Sequence, residues 1–209
     1  HPEWLGDRQR SFHLRESVQI LGGYAGVLAQ DPDERDPVAH PTILSGDLLG
    51  NDGGLLDPGN VDEFDPSRVD NSYVVVLVAK ERVDLPVDVT LDGLTIQSGF
   101  HPRQLDAGLT GKGAGLKCDS MGHVTVIVRN VLIRGNLAGG MGAGILNGGA
   151  AVILEDSTIS GNVSRVGAGY AASQSRPQLV SGLDAFRCVF EGNQLISGEE
   201  GEQVKGAAY

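Results

Sequence analysis

The chain has 209 residues, enough for one domain with a sizeable core, and carries 31 glycines, 5% aromatic residues and a formal charge of −11. Glycine is costly inside helices and cheap at turns, so this composition excludes a helical bundle and favours turn-rich β structure. The negative charge repels a phosphate backbone and argues against nucleic-acid binding, and the longest apolar run, Val74 to Ala79, is too short to cross a bilayer as a helix.

In chain order, Phe12, Leu14, Val18 and Ile20 alternate as strand residues do, and Gly22-Gly23-Tyr24 closes them. Residues 31–70 then hold eleven Asp or Glu, two Arg, no Lys and five of the nine prolines. Such a stretch is expected to be an acidic surface excursion, interrupted by a short strand at Thr42-Ile43-Leu44. A buried strand is expected from Tyr73 to Val78.

From there a repeat takes over. Four segments place inward residues at i, i+2, i+5 and i+7: Val89, Leu91, Leu94, Ile96; Val126, Val128, Val131, Ile133; Val152, Leu154, Ser157, Ile159; and Leu183, Ala185, Cys188, Phe190. Steps of two mark strands with one face buried, and the step of three needs a two-residue corner. Those corners are Asp92-Gly93, Arg129-Asn130, Glu155-Asp156 and Phe186-Arg187. An apolar-x-Gly-Asn segment follows three of the pairs, ending at Asn136, Asn162 and Asn193. Gly113-Ala114-Gly115, Gly142-Ala143-Gly144 and Gly167-Ala168-Gly169 precede coils, and Gly206-Ala207-Ala208-Tyr209 closes the chain in the same style. The separations of 29, 25 and 39 residues between these marks are unequal, as a solenoid allows when insertions leave as loops. The expected fold is all-β, a parallel β-helix solenoid over residues 1–209, forming an interior stretch of a longer stack. The three asparagines are expected to lie above one another as a structural ladder at a corner needing left-handed backbone, which Asn tolerates.

This pattern resembles the right-handed parallel β-helix proteins of the pectin-lyase-like superfamily. Within that group it is similar to bacterial secreted and surface proteins related to polymorphic outer-membrane proteins. Phe190 to Asn193 matches their Phe-x-x-Asn tetrapeptide, and Ile133 to Asn136 and Ile159 to Asn162 match it with Ile for Phe. Their Gly-Gly-Ala-Ile tetrapeptide is present in a shifted form, as Gly-Ala-Gly-Leu or Gly-Ala-Gly-Ile. The resemblance implies right-handed coiling and an extracellular, cell-surface or periplasmic location. It also implies a non-enzymatic structural, adhesion or assembly role, with other subunits or further coils of the same chain as partners.

The other activity such folds host is cleavage or binding of acidic polysaccharide. Glycoside hydrolysis needs two carboxylates facing across a cleft. Here Asp92, Glu155 and Asp156 sit at corners with Arg129 and Asn130 between them, a mixed-charge ladder more than a catalytic pair. The Asn-Thr-Asp, Gly-His-Gly and Arg-Ile-Lys signatures of polygalacturonase-type enzymes do not occur in the sequence. The five histidines are scattered and support no Ser-His-Asp arrangement. The two cysteines, Cys118 and Cys188, fit no zinc spacing and are expected as free thiols. No organic cofactor is implied. Hard oxygen ligands are dense in the excursion, however, and Asp47, Asp52 and Asp70 are candidate Ca²⁺ ligands. The spacing fails the EF-hand pattern, but the loop brings its ends together.

Overall fold

The computed structural model describes residues 7–53, 65–80, 85–102, 111–119, 123–173 and 182–196. Its strands fall into five successive coils. The first coil holds β1 (Phe12–Leu14), β2 (Val18–Leu21) and β3 (Thr42–Ser45), followed by a short 3-10 helix at Pro66–Asp70. The second holds β4 (Val76–Val78), β5 (Val87–Asp92), β6 (Leu94–Gln97) and β7 (Phe100–His101). The third holds β8 (Leu116–Cys118), β9 (Val124–Arg129), β10 (Leu132–Arg134) and β11 (Leu137–Met141). The fourth holds β12 (Ile145–Asn147), β13 (Ala151–Glu155), β14 (Thr158–Ser160) and β15 (Val163–Val166). The fifth holds β16 (Tyr170–Ala172), β17 (Gly182–Phe186), β18 (Val189–Glu191) and β19 (Gln194–Leu195).

Three sheets take one strand from each of the five coils, in the orders β1-β4-β8-β12-β16, β2-β5-β9-β13-β17 and β3-β6-β10-β14-β18, and the fourth takes one from each of the second to fifth coils, in the order β7-β11-β15-β19. All named strand pairs are parallel, which is the stacking a parallel β-helix has. The repeat spacing of the sequence is the register of the stack: Val89, Val126, Val152 and Leu183 pair in one row, and Ile96, Ile133, Ile159 and Phe190 in another. These inward rows form the main core, in which Val126, Val128, Ile133, Leu154 and Ile159 are solvent-free. In the outermost described coil the inward residues Phe190, Leu183 and Cys188 are only half-buried and Ala185 is exposed. With a neighbour on one side only, an inward side chain keeps part of its surface in water.

The corners explain the punctuation. The second residue of each expected corner pair adopts a left-handed backbone: Gly93 at φ +70°, Asn130 at +52°, Asp156 at +47° and Arg187 at +53°. A second left-handed corner follows β6, β10, β14 and β18, at Ser98, Gly135, Gly161 and Gly192. The left-handed residue is thus the glycine before each ladder asparagine and not the asparagine itself, a correction to the sequence expectation. Glycine reaches that region without a Cβ clash, and the asparagine is left free to use its amide. In the Gly-Ala-Gly mark, Ala114, Ala143 and Ala168 are fully buried, and a methyl added at Gly144 would meet the Gly169 carbonyl at 2.5 Å. The mark is a place where successive coils touch backbone to backbone.

Parts of the described residues between 31 and 70 lie in the interior. β3 inside them pairs with β6 and buries Leu44, and Arg68 and Asp70 are fully buried at the return of the chain. The residues that follow, Asn71 and Ser72, stand where a fourth strand of the first coil would pair with β7; Asn71 Nδ2 donates to the Ser98 carbonyl and Arg8 Nε to the Asn71 carbonyl, so side chains satisfy backbone groups there. The Ser72 carbonyl accepts the Phe100 amide at 2.9 Å, taking the part an extra strand would play.

Candidate functional site

Three polar assemblies lie on this frame. The first is the asparagine ladder. Asn136 Nδ2 donates to Asn162 Oδ1 at 2.9 Å, and Asn162 Nδ2 donates to Asn193 Oδ1 at 3.0 Å. Each Oδ1 also accepts the backbone amide of the asparagine one coil before, at 3.1 Å in both cases. Each Nδ2 donates as well to a carbonyl of the preceding coil, on Ile96, Ile133 and Ile159. Gly99 holds the corresponding place in the second coil, and its amide donates to Asn136 Oδ1 at 2.9 Å. Asn136 and Asn162 are solvent-free, so this row is a buried structural rib and offers no surface to a ligand. The Asn162-Val163-Ser164 sequon lies within it, out of reach of glycosylation.

The second assembly is the corner charge ladder. Asp92 Oδ1 accepts Arg35 Nη2 at 2.7 Å and Asn130 Nδ2 at 3.0 Å. Arg129 stands 4.0 Å from Asp92 and 4.0 Å from Glu155, and one row further out Arg187 pairs with Asp156 at 2.6 Å. The hydrogen bond and charge of Arg187 hold the Asp156 carboxyl below its ordinary range. Beside this ladder the 31–41 segment stands over β6, β10 and β14 and walls a groove of about 660 Å³. Its floor carries Ile43, Thr95, Leu132 and Thr158, and Arg134 lies at its edge with Nε and Nη2 donating to Gln97 Oε1 at 3.2 and 3.1 Å.

The third assembly gathers Asp47, Asp52 and Asp70. Asp47 accepts the Gly50 and Asn51 amides at Oδ1 (2.7 and 3.1 Å) and the Asp52 amide at Oδ2 (3.0 Å). Asp70 Oδ2 accepts the Leu49 amide at 3.0 Å. Asp52 Oδ2 accepts Asn71 Nδ2 at 2.7 Å, and Asn71 Nδ2 also donates to the Ser98 carbonyl at 2.9 Å. Asp52 Oδ1 and Asn71 Oδ1 are buried without a hydrogen-bond partner. Burial pushes the Asp52 carboxyl up, opposed by the Asn71 hydrogen bond and the Arg68 charge. The turn that makes this possible is local: the Asp47 side chain ties up three successive amides, as Asx residues do at turns. Among the described residues no group of three or more His, Cys, Asp or Glu side chains is arranged to hold a metal ion.

Sequence reading missed several residues near this loop. Arg68 is fully buried, with Nη1 3.4 Å from the Gly135 carbonyl. Arg8 donates to the Asn71 carbonyl at 2.7 Å and lies 4.5 Å over the Tyr73 ring, which in turn stacks on His101 at 5.3 Å. His101 Nδ1 faces the carbonyls of Lys112 and Gly113, each at 3.0 Å, so it carries the proton, and burial lowers the pKa of the ring. An arginine flanked by prolines and acids has no periodic signature, so nothing in the pattern marked Arg68 as interior. Both cysteines are free thiols; Cys118 is buried and its pKa is pushed up to about 12. The chain matches no protein-family model, no curated protein and no solved structure.

Proposed function

We propose that this chain is a non-enzymatic structural module, a right-handed parallel β-helix of the extracellular, cell-surface or periplasmic kind, that stacks against further β-coils. Right-handedness is supported by the general rule that parallel crossovers take that hand in about 98% of cases. The observation that carries the assembly reading is the set of exposed apolar side chains on the outermost described strands, Phe12, Val18 and Leu21 in the first coil and Phe186 in the fifth. Other subunits or further coils of the same chain are the partners such strands take. Ile43 and Val189, each 47% exposed, lie on these outer strands. Sedimentation of the chain is expected to show association that grows with concentration up to about 100 μM and falls when Ile43→Lys and Val189→Lys are combined. A strict monomer over that range would overturn the reading.

The second reading is binding of an acidic polysaccharide, favoured by one observation: the groove over β6, β10 and β14 has a guanidinium, Arg134, hydrogen-bonded to a neutral amide and not to a carboxylate. Retention on a polygalacturonate column that is lost in Arg134→Ala would support it; equal elution of both proteins would end it.

A further inference from the structure

His101 is buried, and the fold uses only one of its two ring nitrogens. Nδ1 lies 3.0 Å from the carbonyl oxygens of both Lys112 and Gly113, so that nitrogen carries the proton. Nε2 is then a bare acceptor, shut away from water and without a hydrogen-bond partner. The residue is 8% exposed, and its ring stacks on Tyr73 with centroids 5.3 Å apart and planes inclined by 22°. Tyr73 in turn carries the Arg8 guanidinium 4.5 Å from its ring centroid. Arg8 and Tyr73 are half-buried and His101 is buried, so the imidazole is covered by side chains of the first coil and its return.

A second proton has no place in this arrangement. An N–H at Nε2 would be buried without an acceptor, which costs the desolvation of a charged donor. The charged and titratable groups around the ring are Arg8, Lys112, Lys117 and the Tyr73 phenol; the neighbouring strand β11 sets Ala138 beside it and adds none. No described carboxylate is hydrogen-bonded to the ring or ion-paired with it, and the charge of Asp70 acts on Arg8. Burial lowers the pKa of the ring, and the charges of Lys117 and Arg8 lower it further against the two carbonyls. Arg8 also fastens residues 7–14 to the stack. Its Nε donates to the Asn71 carbonyl at 2.7 Å and its Nη2 to the Phe100 carbonyl at 3.2 Å, while its own carbonyl takes the Tyr73 amide at 2.8 Å. The strand that follows it, β1, is held through β4.

We propose that the Arg8–Tyr73–His101 stack is a proton-operated latch: neutral His101 holds residues 7–14 on the second coil, and protonation of Nε2 releases them while the inner coils stay folded. The sign follows from linkage. In the open form His101 meets water and takes its ordinary value of about 6.5, whereas the closed form resists the proton. The latch is therefore at full strength above about pH 6.5 and weakens as pH falls below it. It is independent of whether the module assembles or binds polysaccharide.

Hydrogen exchange of the 209-residue chain, read by mass spectrometry at about pH 7.5 and about pH 5 and corrected for intrinsic rates, tests the latch. An open-state value of about 6.5 limits the gain in opening at about pH 5 to roughly thirtyfold. Protection of residues 7–14 is expected to fall by about five- to thirtyfold between the two conditions, with residues 124–134 changing by less than about twofold. His101→Gln keeps an amide donor for the Lys112 and Gly113 carbonyls and has no proton to take up, so its residues 7–14 should lose that dependence on pH. A fall of less than about fivefold in the parent, an equal fall in residues 124–134, or the parent's dependence retained in His101→Gln overturns the proposal. Where His101→Gln does not fold, NMR titration of the parent decides in its place. A His101 midpoint below about 6.5 supports the latch, and one at or above about 6.5 overturns it.

Discussion

The third and fourth coils and the first coil solve the same problem with different chemistry. In the third and fourth coils the interior is a set of apolar rows, Val126 over Val152 and Ile133 over Ile159, and the one polar row, Asn136 to Asn193, satisfies itself by a fixed rule repeated at every step. In the first coil the place of a fourth strand is filled by a loop that buries Arg68, Asp70, Asn71 and Asp52. The comparison teaches that a solenoid is periodic only where a coil has equivalent neighbours. Where the chain leaves the stack, each buried polar group must find an individual partner, and the partners come from residues far apart in sequence, such as Asn71 with Ser98.

The sharpest way to break the comparison is to place a charge on each side of one strand. Ile159→Asp buries an unpaired carboxylate in the main core and should cost more than about 4 kcal/mol or prevent folding. Thr158→Asp, one residue away on the outward face, should stay within about 1 kcal/mol by urea denaturation. If both variants unfold alike, the inward assignment is wrong.

Next in size is the rib itself. Asn162→Ala removes two side-chain donations and leaves the buried Asn136 amide and carboxamide without their acceptor, so a loss of about 2–4 kcal/mol is expected from the same denaturation experiment. A loss below about 0.5 kcal/mol would mean that the ladder is ornament to the apolar rows.

The backbone contact of the Gly-Ala-Gly mark gives a smaller effect. Gly144→Ala forces a methyl against the Gly169 carbonyl and should cost about 1–3 kcal/mol, whereas Gly53→Ala, where the methyl meets nothing within 4 Å, should be close to neutral. Thermal melts of the two variants side by side decide it.

The smallest effect concerns the polar loop of the first coil and appears as a pH dependence. Burial raises the Asp52 carboxyl in the fold, so the folded chain favours its protonated form. The contribution is therefore fully present below the unfolded value of about 3.9 and is lost as pH rises through the higher folded value. Asp52→Asn has no such proton to release. The stability of Asp52→Asn relative to the parent should rise from pH 3 to pH 6 in urea denaturation; a constant difference across that range would show that Asp52 is not desolvated.

The sequence by itself determined the coil. Steps of two and three in apolar residues place Val126, Val128, Val131 and Ile133 on one surface, and a glycine before each asparagine supplies the left-handed corner, because these are local demands of strand pleat and backbone sterics. The existence of a row of asparagines was legible for the same reason, since equal positions in stacked coils must lie above one another. Tertiary structure decided the rest. Nothing local distinguishes Arg68 or Asp70, both interior, from the exposed acids around them; their burial follows from where the returning chain meets Ser98 and Gly135, 27 and 67 residues away from the groups they and Asn71 touch. The sheet formed by β7, β11, β15 and β19 was likewise invisible, because Phe100, Leu137 and Val163 bury a separate small cluster outside the shared spacing. Periodicity records contacts that recur, and a site made once, from a loop and its return, leaves no period to read.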